Sequence, residues 1–412
     1  MSASNRRWWF DEKHRAPRRP GGESSDEEEV ILKAIEGKLS WLHAADILGI
    51  TPRHIRRLKK AYEYGGWGGL RDHRAGILHR KRLPPGTIRE LLRLRRERYA
   101  DFSIRHFYDF ATEKHGLKLS YTWTRIVLQE AGLADKAPGR GKYRRKRERR
   151  PLVGMLLHLD ASRHLWLEGL PEWDLVVMLD DADGQILFAR FFEEEGTVST
   201  FMALQHVLLT RGRFCELYTD RGTHFCRTAK AGGAASTEDY NGQVPRALRA
   251  LGVRQVLAHS PEARGRSERA FGTIQGRLPQ ELKLHGVTDY QAANRYLTEV
   301  FVPDFNRRFT VKPGEKGNAF VPLAGLDVEL LLSVQHERTV NKDNTVSFKN
   351  LALQLPRTDR RLHFVRCPVL VHELLDGTLA VSHLGRVIAR FDPASGDLLP
   401  QRPGDALHRS AA

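Results

Sequence analysis

The 412-residue chain has only three cysteines, Cys215, Cys226 and Cys367, and none forms a CxxC pair. So few thiols at such spacings exclude a disulfide framework and a cysteine-ligated zinc site, and they fit a reducing cytoplasm. The chain also lacks any run of about 18 apolar residues, the length that spans a bilayer, so no membrane partner is expected. Residues 1–20 have no apolar h-region, so no secretory signal is expected. Acidic residues are scarce where basic ones are dense. The formal net charge is +17, and residues 1–150 hold 36 Lys and Arg against 19 Asp and Glu. Residues 151–412 hold 31 of each and balance. The whole excess therefore sits in the first third. A concentrated basic region is the electrostatic footprint of a nucleic-acid partner, because each neutralised phosphate releases counterions.

The pattern along the chain predicts a multidomain protein. Residues 1–25 are polar and aperiodic and read as a mobile tail. Over 26–80, apolar residues recur at helical spacing: Val30, Ile31, Ala34 and Ile35, then Leu42, Ala45 and Leu48, then Ile55 and Leu58. Gly49 ends the second helix. Thr51 offers an N-cap, with Pro52 at the first helical position. The third helix carries Arg53, Arg56, Arg57 and Lys60 outward, which is a helix-turn-helix arrangement with a basic last helix. A second module of the same kind is expected over 81–135. It has a capping box at Thr87 and Glu90, caps at Ser103 and Ser120, and Thr122 and Arg125 at the start of its last helix. Residues 136–151 hold Lys142, Arg144 and Arg145 and read as a flexible basic linker that tracks a DNA backbone.

The period changes at 152. LVGMLLHLDAS, WDLVVMLDDADG and QILFARFFEEE read as three antiparallel strands, with a hairpin at Asp183-Gly184. Helix–strand alternation follows, through TVSTFMALQHVLLTRG, CELYTDRGTHF, VPRALRALG and VRQVLAHS, and then a long helix in PEARGRSERAFGTIQGRL. This gives a central α/β core over 152–315 with a mixed five-stranded sheet. Short strands at regular spacing over 330–400 suggest a small β-barrel, and 401–412 is a polar tail.

Three acids stand out within the core. Asp160 and Asp220 each end an apolar strand, where a charge is costly unless it is solvated or paired with a metal. The ends of strands are also where open α/β sheets place their sites. Glu268 lies a turn into the helix after the fifth strand, sharing a helical face with Gly272 and Gln275. Glu262, directly after Pro261, is the rival for the third position. Oxygen donors of this kind suit Mg²⁺ or Mn²⁺, and two such ions can activate an attacking oxygen and stabilise a leaving one. Arg264 and Arg266 are expected phosphate contacts. His158 shares a strand face with Asp160 and reads as a satisfied core histidine. Asp180, Asp181 and Asp183 read as turn acids.

The segments HLDAS, YTDRGTHF, SPEARGRSERAFGTIQ and DFNRRF resemble the integrase core shared by retroviral integrases and DDE transposases of bacterial insertion sequences, an RNase H-like fold. The resemblance implies Asp160, Asp220 and Glu268 as the catalytic, metal-binding acids. The interval between Asp220 and Glu268 is longer than is typical of that group, and residues 229–237 are the expected insertion. The resemblance further implies N-terminal modules that bind terminal inverted repeats, metal-dependent 3′-end cleavage, strand transfer into target DNA, and a homo-oligomer, at least a dimer, on paired ends. A nuclease that does not join strands, or a non-catalytic DNA-binding regulator, is the alternative.

Overall fold

Ser103 and Ser120 each accept a hydrogen bond from the backbone N–H three residues on and open a helix as the spacing predicts, and Ser40, which sequence reasoning missed, does the same. The computed structural model describes residues 23–70, 84–135, 148–226, 242–258 and 265–402. The chain divides into two compact units, residues 1–89 and 90–412.

In the first unit, α1 (Glu23–Ile35), α2 (Trp41–Ile47) and α3 (Pro52–Leu70) follow one another. Gly49 turns the chain with φ +62°, and Thr51 caps α3 through His54 N. The core gathers Ala34, Ala44, Ala45 and Ile55, with Trp41, Leu48 and Leu58 against them. Leu42, expected inside, is 60% exposed, because Trp41 and Ala44 take the inner face of α2 instead.

Three further helices follow: α4 (Pro85–Glu97), whose last eight residues open the second unit, α5 (Ile104–Glu113) and α6 (Tyr121–Glu130). They bury Leu91, Leu94, Phe107, Phe110 and Leu128. The capping box expected at Thr87 and Glu90 does not form. Helix α4 starts at Pro85, and the Glu90 carboxylate accepts from Arg93.

Next come β1 (Leu156–His164), β2 (Trp173–Asp180), β3 (Ile186–Phe192), α7 (Thr197–Arg211), β4 (Glu216–Thr219), α8 (Gln243–Leu251) and β5 (Arg254–Leu257). The sheet order is β3-β2-β1-β4-β5, with β1–β3 antiparallel and β4 and β5 parallel to β1. This is the mixed five-stranded sheet expected of an RNase H-like core. Leu157, Leu159, Val176 and Met178 face α7 and α8. Leu175, Val177 and Leu179 face the other helical layer. That layer comprises α9 (Ser267–Gln275), α10 (Leu278–Leu284), α11 (Tyr290–Tyr296), a π turn (Leu297–Phe301) and α12 (Val302–Phe309). The long helix expected from Pro261 breaks at Gly276, and Pro279 enters the first turn of α10.

After α13 (Val328–Leu331) come β6 (Val334–Thr339), β7 (Thr345–Phe348), β8 (Leu351–Gln354), β9 (Pro368–Glu373), β10 (Leu379–His383), β11 (Arg386–Phe391) and β12 (Leu398–Leu399). The small β-barrel expected over 330–400 is not found as a closed barrel. The described strands form an open antiparallel sheet, β12-β11-β10-β9-β6, and a separate β7–β8 ribbon. The ribbon shares an apolar core with the sheet through Val346, Phe348 and Leu353, while β12, at two residues, is too short to carry the ladder onward. Among the described residues, no helix is long and apolar enough to cross a membrane.

Candidate active site

Strand β1 continues four residues past Asp160 to His164, paired there with β2. Its other neighbour, β4, ends at Thr219. Asp160 therefore sits where β1 outlasts its parallel partner, at a notch in the sheet rather than at its own strand's end. The parallel register matches Leu156 with Glu216, Leu157 with Leu217 and His158 with Tyr218. Two residues further on, the same count reaches Asp160 on one strand and Asp220 just past the other. Side chains alternate along a strand, so the Asp160 carboxylate lies on the face opposite Leu157 and Leu159. This is the face covered by α9. Both aspartates are half-buried.

Local hydrogen bonds hold each carboxylate. Asp220 Oδ1 accepts from the Gly222 backbone N–H at 2.8 Å, and Asp160 Oδ1 accepts from Ala161 N at 3.0 Å. Gly222 has reason to be glycine. A Cβ there would lie 3.0 Å from Asp220 Oδ1 and 3.1 Å from His224 Cε1, tighter than ordinary contact.

Helix α9 is tied to β1 at two levels. At its start, the Arg266 guanidinium pairs with the Asp181 carboxylate, and His158 Nε2 donates to the same carboxylate at 2.8 Å. At its end, Gln275 Nε2 donates to Ser162 Oγ at 2.8 Å. Nine residues of helix rise about 13.5 Å, and four residues of strand span about 13 Å, so helix and strand run side by side between the two ties. Glu268 on α9 and Asp160 on β1 both lie inside that bracket. Glu268 precedes Gln275 by seven residues, two helical turns, and so shares its face; it is exposed, while Phe271 and Ile274 are buried. Among the described residues, no group of three or more His, Cys, Asp or Glu side chains is gathered closely enough to hold a metal ion.

Asp181 is more than a turn residue. It is fully buried, and its carboxylate also accepts from Arg150 N at 2.8 Å. Burial pushes its pKa up, but the bonds from His158, Arg150 and Arg266 outweigh burial and hold it well below the usual carboxylate range. Among the described residues, no cation pairs in that way with its neighbour Asp180. Burial raises it to about 6, against the N–H groups of Gly154 and Ala182. Asp183 does bond within the turn, to Gln185 N. His158 is a buried core histidine, held through Nε2 by Asp181.

Arg53, Arg56, Arg57 and Lys60 are exposed on α3, and Thr122 and Arg125 are exposed on α6. Arg266 is turned inward, its side chain 9% exposed. Lys142, Arg144, Arg145, Glu262 and Arg264 lie outside the described residues. Sequence reasoning missed Asn294 and Asn306. Asn306 bonds both the N–H and the C=O of Ile186, and Asn294 those of Phe191. Two side-chain amides thus occupy the open edge of β3. The DFNRRF segment was the signal for one of them.

A helix-turn-helix domain family model matches residues 28–82. Among solved structures, the chain is similar to the HTLV-2 integrase catalytic core domain in complex with magnesium in its trimeric form, at 15% identity and TM-score 0.28, over 35% of this chain and 82% of that one. It is also similar to the simian T-cell lymphotropic virus intasome in complex with PP2A regulatory subunit B56 gamma, at 14% identity and TM-score 0.33, over 71% and 93%. Curated relatives match at higher identity over more of the chain. The transposase for insertion sequence IS1202 of Streptococcus pneumoniae is 26% identical over 85% of this chain and 82% of its own length. The putative transposase y4bF of Sinorhizobium fredii (strain NBRC 101917 / NGR234) is 31% identical over 87% of this chain and 78% of its own length. With that extent of shared sequence on a helix-turn-helix unit and a mixed α/β core, the chain belongs to the transposase family.

Proposed function

We propose that this transposase is a DDE-type polynucleotidyl transferase that binds the terminal inverted repeats of an insertion sequence, cleaves each 3′ end and joins it to target DNA. The observation that carries the reading is that Asp160 and Asp220 each follow the last paired residues of β1 and β4, His158 and Tyr218, by two positions. Asp160, Asp220 and Glu268 would hold Mg²⁺ or Mn²⁺, two ions in all. Two half-buried carboxylates on one face, with an exposed glutamate on the covering helix, are hard oxygen donors that fit such cations. When bound, the ions lower the pKa of an attacking water or hydroxyl and offset the charge of the phosphate.

The protein's own groups do the positioning. The Gly222 N–H fixes the Asp220 carboxylate, and the Asp181 and Ser162 ties hold α9 over β1. Arg53, Arg56, Arg57 and Lys60 on α3 meet the phosphates of the repeat. Residues 84–135 act as a second helix-turn-helix module, with Thr122 and Arg125 at its DNA face. Lys142, Arg144, Arg145 and Arg264 add phosphate contacts, and two copies of the chain hold the paired ends.

Pre-cut and uncut terminal duplexes, incubated with target plasmid and Mg²⁺, test the reading. Joined products dependent on Asp160 support it. Hydrolysis without joining points to a nuclease, and binding with neither points to a regulator.

A further inference from the structure

One face of α5 grips the catalytic core. His106, Asp109 and Glu113 follow at spacings of three and four, so they line a single helical stripe. His106 Nε2 donates to Glu281 Oε1 of α10 at 2.9 Å. Asp109 pairs with Arg277, just before α10, with both side chains over nine-tenths buried. Glu113 receives a two-pronged bond from Arg308 of α12, at 2.8 and 2.6 Å.

Buried ion pairs seldom add stability over apolar packing, because desolvation offsets their attraction. What they add is geometry: a planar guanidinium on a carboxylate fixes direction as well as distance. The stripe leads toward the candidate site. Arg277 lies two residues beyond Gln275, which holds Ser162, and Ser162 lies two residues beyond Asp160. Arg105, one turn before Asp109 and paired with it at 3.2 Å, also lies over the rings of Tyr108 and of Tyr121 on α6.

We propose that Asp109 and Glu113 are positioning residues. They lock the α4–α6 module to the core, so that DNA held by α6 presents one particular phosphodiester bond to Asp160 and Asp220. This rests on the reading of α4–α6 as a DNA-binding module and of the acids as the cleavage site. The module then works as a ruler rather than as a tethered reader.

The test uses the full chain, Mg²⁺, and an end-labelled duplex spanning the junction between the element and its flanking DNA. Asp109→Asn and Glu113→Gln are expected to bind the duplex as the parent does. Cleavage at the parental bond should fall by about 10²-fold, as a displacement near 1 Å can produce, with new cuts at neighbouring bonds. Unchanged rate and position would overturn the proposal, as would a loss of binding, cleavage and melting temperature together. Glu113 is 40% exposed, so its variant keeps the test open if Asp109→Asn does not fold. A second readout does not need cleavage. Spin labels at Ile126→Cys and Leu165→Cys, both exposed positions, in a Cys215→Ser background should give one narrow distance distribution that Asp109→Asn broadens. A broad distribution in the parent overturns the lock. A parent with a narrow distribution that cuts nothing counts instead against the proposed function.

Discussion

Asp160 on β1 and Asp220 just past the end of β4 each lie two residues beyond the paired His158 and Tyr218. Neither neighbour in sequence nor helix packing alone would place them so. The register of β1 against β4 does it, and the early end of β4 opens the notch beside Asp160.

Asp160→Asn and Asp220→Asn should each lower Mg²⁺-dependent cleavage by about 10³-fold, roughly 4 kcal/mol of barrier, without loss of duplex binding. Single-turnover cleavage and gel retardation measure the two. A variant that cuts at the parental rate removes that aspartate from the site. Glu268→Gln beside Glu262→Gln then identifies the third acid by the larger loss.

Removing Asp181 strands His158 and Arg266 in the core. Asp181→Ala should cost about 3–5 kcal/mol, the usual penalty for breaking a buried pair, read by denaturant unfolding. Because the folded carboxyl lies below its unfolded value, its contribution is present above about pH 4 and is lost as pH falls below that toward the folded value. The parent should lose stability over that range faster than the variant. Equal acid profiles would contradict the assignment.

His372 is buried between Ser333 and Ser382, and burial brings its pKa down to about 4. Between there and the unfolded value of about 6.5, the unfolded chain binds more protons than the folded one, so stability falls as pH drops through this window. His372→Gln should flatten the dependence between pH 6.5 and 4, followed by circular dichroism in urea. A variant with the parent's slope would place the effect elsewhere.

Strand β3 is the outer strand on its side of the core sheet, and an open strand edge invites pairing with another chain. Asn306→Ala frees the N–H and C=O of Ile186. A loss of about 1–3 kcal/mol is expected for groups left unsatisfied, with concentration-dependent association in sedimentation. Monomer behaviour at every concentration would show that the amides are not needed as a guard.

On α3, replacing Arg56 or Arg57 with Ala should weaken binding to all duplexes alike and reduce the log–log salt slope by about 1 for each. A change confined to one sequence would mean base contact instead of phosphate contact.

The sequence showed the elements wherever local physics was strong. Serine caps at 103 and 120, the turn at Gly49 and the apolar run through WDLVVMLD each fix structure within a few residues. It erred where a choice depended on partners far along the chain. Leu42 matched the helical period as well as Ala44 did, and only packing against α1 and α3 chose between them. The C-terminal strands were visible, but whether they close is a matter of pairing between ends, and a two-residue β12 leaves the sheet open.

For the candidate site the division is similar. Composition and motif alone singled out Asp160, Asp220 and Glu268 and put the positive charge in the first third. The tertiary structure alone set the β1–β4 register that both aspartates follow by two residues, the bracket that holds α9 over β1, and the conversion of Asp181 from a turn acid into a buried anchor. Charge and local period are written residue by residue. Register and burial exist only between segments, so they appear when distant parts of the chain meet.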